Sequence, residues 1–249
     1  MKKLSTKAVK TLALCGMIGA LGIGAGIGYS SAYLTDKETK TNTVTVGEVK
    51  IELTEPEFPG NDDPSTKNQV PNQETLKNPT ITNIGKNDAY VFLEVTVPVV
   101  EITEVADDGT KGTKQMQELF YFKDEADAAT KHENNFDANW VELPSVETGK
   151  DMSAATRTYV FAYNKKLAVN AETTPLFDKV QLKNFIENEI AAGTVENIGI
   201  EAFAIQSSNL PGTTLVDGDV TSMTTVWNIM QNQNNYARFR ADFSPKLIS

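Results

Sequence analysis

Residues 80–105 read TITNIGKNDAYVFLEVTVPVVEITEV, and this stretch decides the fold class. Val91, Leu93, Val95 and Val97 alternate with Tyr90, Phe92, Glu94 and Thr96. A period of two puts one set on each face of a strand, so the valine and leucine set is expected to face a core. Gly85–Asp88 is rich in turn formers and separates this long strand from a shorter one before it. Pro98 lacks the N–H that a ladder uses, which predicts a bend or a sheet edge there.

Upstream, residues 43–53 (TVTVGEVKIEL) place Val49, Ile51 and Leu53 on one face and Glu48, Lys50 and Glu52 on the other. Val44 and Val46 have the opposite parity, and Gly47 stands at the switch, where a bulge or kink is expected. Residues 54–79, rich in Pro, Asn, Asp and Thr, read as a long surface connection. Downstream, Asp107-Asp108-Gly109 is a turn signal. Short apolar bursts at 119–122 and 139–143 flank a polar, loop-like segment, 124–138. Residues 156–163 (TRTYVFAY) put Tyr159, Phe161 and Tyr163 on one face, and 197–206 form another strand. Leu176, Phe177, Val180, Leu182, Phe185, Ile186 and Ile190 drift toward helical spacing, which predicts a short helix over 178–191. A second helix is expected over 221–233, capped by Thr221 or Ser222, with Met223, Val226, Trp227 and Met230 as its apolar stripe. The last dozen residues show no period. Seven to nine short strands and two helices that do not alternate with them make an all-β chain: an antiparallel β-sandwich with one or two peripheral helices.

The chain has 249 residues, 40% of them apolar, with a formal net charge of −10. One histidine and one cysteine exclude a two-imidazole site and a disulfide framework. The acidic balance argues against a nucleic-acid partner. Lys2, Lys3, Lys7 and Lys10 precede an uncharged small-and-apolar run, 11–28, followed by Ser30, Ser31 and Ala32. This is the layout of a secretory signal peptide over residues 1–32, with the cut expected between Ala32 and Tyr33 and a cut after Ser31 as the alternative. The glycines of the run disfavour a permanent spanning helix, so membrane contact is expected only before cleavage. Removal of 1–32, with four lysines and no acid, takes the charge from −10 to −14 over 217 residues and removes Cys15. Gly24-Ala25-Gly26 has no strand before it and no βαβ context, so it is not read as a nucleotide loop.

The segment Ala32-Tyr33-Leu34-Thr35-Asp36 with the following TVTVGEVKIELTEP resembles the TasA/camelysin family of exported Gram-positive proteins, whose SipW-type leader is removed by a dedicated signal peptidase. KNPTITNIGKNDAYVFLEVTVP, TTPLFDKVQLKN and IEAFAIQ resemble the body of that family as a pattern of strands. The resemblance implies a jelly-roll-like sandwich, secreted to the cell surface or biofilm matrix. It also implies a fibre in which the mature N-terminus of one subunit completes the sheet of the next. The candidate donor residues are Tyr33, Leu34, Val44, Val46, Val49, Ile51 and Leu53. Two possibilities stand for 43–53: donation to a neighbour, or an ordinary first strand that leaves only 33–42 to exchange. The partners implied are a second copy of the chain, head to tail, or related matrix subunits.

Camelysin also implies a surface metalloendopeptidase, but the chain offers only His132-Glu133. The position four residues on is Phe136, not the second imidazole of a zinc helix. No catalytic residue and no cofactor are assigned. Calcium remains an unassigned option at Asp62-Asp63, Asp107-Asp108, Asp124-Glu125 and Asp217-Gly218-Asp219, none with EF-hand spacing. Tyr121, Trp140, Tyr159, Tyr163 and Trp227 could line a glycan platform, the third functional class considered, although at strand spacing they also suit a core. The expectation is a non-enzymatic surface or matrix protein.

Overall fold

A computed structural model describes residues 47–125, 132–191, 194, 196–210, 215–233 and 237–243, the last of these as backbone. The expected signal segment, 1–32, its expected cut between Ala32 and Tyr33, and the candidate donor residues Tyr33, Leu34, Val44 and Val46 lie outside the described residues. Every described residue belongs to one compact unit, Thr45–Ser249.

The protein is all-β with one helix. Its strands are β1 (Ile51–Thr54), β2 (Glu74–Leu76), β3 (Thr80–Asn83), β4 (Ala89–Ile102), β5 (Gln115–Glu118), β6 (Phe120–Lys123), β7 (Trp140–Glu142), β8 (Thr156–Tyr163), β9 (Lys179–Leu182), β10 (Ile198–Gln206) and β11 (Ala237–Phe243); α1 is Val220–Gln231. The main sheet runs β11-β10-β4-β8-β7, with β5 joined to the far end of β4. A three-stranded sheet, β2-β9-β6, and the pair β1-β3 make up the rest. All strand pairings are antiparallel.

β4 is the central strand. Val91, Leu93, Val95 and Val97 are fully buried in the core, which they share with Phe120 and Phe122 of β6, Val180 and Leu182 of β9, and Tyr159, Phe161 and Tyr163 of β8. This is the face that alternation predicts. Tyr90 and Phe92, on the other face, are buried as well, because α1 covers that side with Met223, Val226, Trp227 and Met230. The Trp227 ring meets Phe92 and Phe203 edge-on, at 5.4 and 5.3 Å. The sheet is therefore dressed on both faces, by strands on one and by the helix on the other.

Pro98 makes β4 neither an edge strand nor a broken one. The ladder to β10 ends at Thr96 and the ladder to β5 begins at Val99, so the missing N–H falls in the gap between two partners. Its carbonyl still accepts from Leu119 N–H, at 3.0 Å.

Several expectations are corrected. Residues 178–191 hold no helix. Lys179–Leu182 form β9, with Val180 and Leu182 turned inward, because β2 and β6 flank it on both sides and complete its backbone bonds. The 54–79 stretch is not only surface loop: it carries β2 and a 3-10 turn, Pro64–Thr66, and buries Thr66, Gln69, Thr75 and Lys77. The polar 132–138 loop packs a half-buried Phe136 against the core, 4.5 Å from the Phe161 ring. The helix cap is Asp219, which accepts from Ser222 N–H, and not Thr221 or Ser222. The unpatterned C-terminus pairs along β10 as β11. Strands number eleven among the described residues, above the seven to nine expected.

Candidate functional site

The N-terminal region can be followed from Gly47. Lys86 N–H donates to Glu48 and Ile84 N–H to Lys50, both at 2.9 Å, and β1 then pairs with β3 from Ile51↔Asn83 to Thr54↔Thr80. Ile51 is fully buried, while Val49 and Leu53 pack against the core from its margin. The turn glycine of the 84–88 hairpin is needed here: a Cβ on Gly85 would sit 2.6 Å from the Glu48 carbonyl oxygen. Of the candidate donor residues, Val49, Ile51 and Leu53 are thus engaged within their own chain.

Beyond β1, Glu55 forms an ion pair with Lys77 at 2.6 Å; the lysine side chain has no solvent exposure. Lys77 Nζ also lies 4.9 Å over the Phe58 ring. Thr54 and Thr80 share a hydroxyl hydrogen bond, and Thr80 donates on to Glu172. These contacts fasten the exit of β1 to the hairpin.

The residues read as possible ligands serve local structure. His132 adopts φ 63°, contacts Asp107 through Nε2 at 3.1 Å and meets Tyr121 edge-on. Among the described residues no group of three or more His, Cys, Asp or Glu side chains could hold a metal ion. Asp62 pairs with Lys67, and Asp63 caps the 3-10 turn. Asp108 accepts from Thr110 N–H, Glu125 pairs with Lys179, and Asp217 accepts from the Tyr90 hydroxyl. The five aromatic residues considered for a glycan platform, Tyr121, Trp140, Tyr159, Tyr163 and Trp227, are all buried, so they present no exposed stacking surface.

Two polar clusters were not legible beforehand. In the first, Glu118 accepts from Arg157 Nη1 (2.7 Å), Tyr159 OH (2.8 Å) and Asn134 Nδ2 (3.1 Å), and the Arg157 guanidinium lies 4.0 Å over the Tyr159 ring. Burial, then the Glu118 charge, drive the Tyr159 phenol far above its usual range, so it stays a donor. In the second, Tyr121 donates to Glu104 while Lys183 Nζ sits 4.4 Å over its ring and 3.7 Å from Glu104. Burial lowers the Lys183 ammonium and raises the Tyr121 phenol. Both clusters join segments from different parts of the chain, and the first leaves Arg157 Nε buried without an acceptor.

No family model matches the chain, and no curated protein does. Among solved structures it is similar to the ASH / PapD-like domain of human CEP192 (PapD-like domain 7), at 10% identity and a TM-score of 0.34, over 90% of this chain and 99% of that one. A TM-score that low carries no argument, so the sandwich assignment rests on the pairings described above. Among the described residues no helix is long and apolar enough to cross a membrane.

Proposed function

We propose that the chain is an exported, non-enzymatic β-sandwich subunit of the cell surface or extracellular matrix. It assembles head to tail through the segment that follows signal cleavage. Strand addition supplies affinity through main-chain hydrogen bonds and register through alternate side chains. A heterologous contact of this kind does not close, so it yields filaments. The basic-apolar leader and the resemblance to the TasA/camelysin family support export and assembly.

One observation narrows the donor. Among the described residues the intrachain ladder is first met at Glu48, and it is fastened behind β1 by the Glu55–Lys77 pair. A strand lent from upstream of Glu48 leaves these bonds intact, which supports Tyr33–Asn42 over the whole of 33–53 as the donor. The signal peptidase acts during export, and the other partner is a second copy of this chain or a related matrix subunit.

The test compares cleaved and uncleaved protein by electron microscopy and light scattering. Filaments from the form beginning at Tyr33, and a folded monomer once 33–42 are deleted, are the expected results. Mature protein that stays monomeric across pH and salt overturns the proposal.

A further inference from the structure

We draw no further inference here: the strongest candidate, the buried charge cluster in the loop after β7 where Lys150 Nζ (3.2 Å) and Arg157 Nη2 (3.8 Å) flank the Glu147 carboxylate, carries nothing, because its charges already face one another within the chain and nothing among the described residues shows what would bind there.

Discussion

Lys77 Nζ meets Glu55 Oε1 at 2.6 Å, inside a region where the lysine side chain touches no solvent. The residue after β1 is thereby tied to the residue after β2. Removing one partner leaves a buried charge uncompensated, which costs about 3–5 kcal/mol. Lys77→Met and Glu55→Leu should each lower the urea midpoint strongly. A Lys77→Met/Glu55→Leu double variant should recover much of the loss, because replacing both charges by apolar groups removes the desolvation penalty. Additive losses in that cycle would contradict the pairing.

Trp227 is wedged between Phe92 and Phe203, and its burial holds α1 on the sheet. Trp227→Ala is expected to cost about 3–5 kcal/mol in equilibrium unfolding. Near-ultraviolet circular dichroism should lose the signal of the packed indole, while the far-ultraviolet strand signature persists.

Asp219 caps α1 by accepting from Ser222 N–H at 2.7 Å. Asp219→Ala should lower stability by about 1 kcal/mol, and Thr221→Ala should change it much less. Thermal melts of the two variants separate the cap that the backbone uses from the one the sequence suggests.

Gly149 has φ +72°, and a Cβ there would stand 2.2 Å from the Thr156 carbonyl oxygen. Gly149→Ala strains both the left-handed turn and the start of β8. A fall in melting temperature, with faster exchange at Thr148 and Thr158, is the expected outcome.

The pH dependence of stability has two limbs of opposite sign. Asp63, Asp108, Asp151 and Asp219 are held below the ordinary carboxylate value of 3.8: Asp63 and Asp151 by side-chain bonds from Ser65 and Ser153, Asp108 and Asp219 by the backbone N–H groups of Thr110 and Ser222. What they contribute is present above that value and is lost as pH falls through their depressed range. Glu147 is raised to about 7, so its contribution is greatest below 4.5 and is lost as pH climbs toward 7. Differential scanning calorimetry should show the highest melting temperature in the weakly acidic interval between the limbs. Glu147→Gln should flatten the upper one.

Parity was legible where strands are long. The alternation of β4 and of Tyr159, Phe161 and Tyr163 correctly predicts which side chains meet in the core, and the Met223, Val226, Trp227, Met230 stripe correctly predicts the helix face. The burial of Tyr90 and Phe92 was not legible. Alternation says that two faces differ, and not that an element some 130 residues later will cover the second one. β9 was misread because Leu176, Phe177 and Phe185 are buried in extended chain on either side of a four-residue strand, so their spacing mimics a helical stripe. The burial of the Glu147 side chain was beyond reach, since nothing in PSVE announces a loop that turns a carboxylate inward.

Local chemistry alone settled the strand-rich character, the capacity for a core and the absence of a second imidazole, since each depends only on residue types and their period. Tertiary structure decided which backbone groups pair, which aromatic residues vanish from the surface and which charged groups are buried together. Those outcomes depend on the juxtaposition of segments distant in the chain, through hydrogen bonds and desolvation that no short window of residues contains.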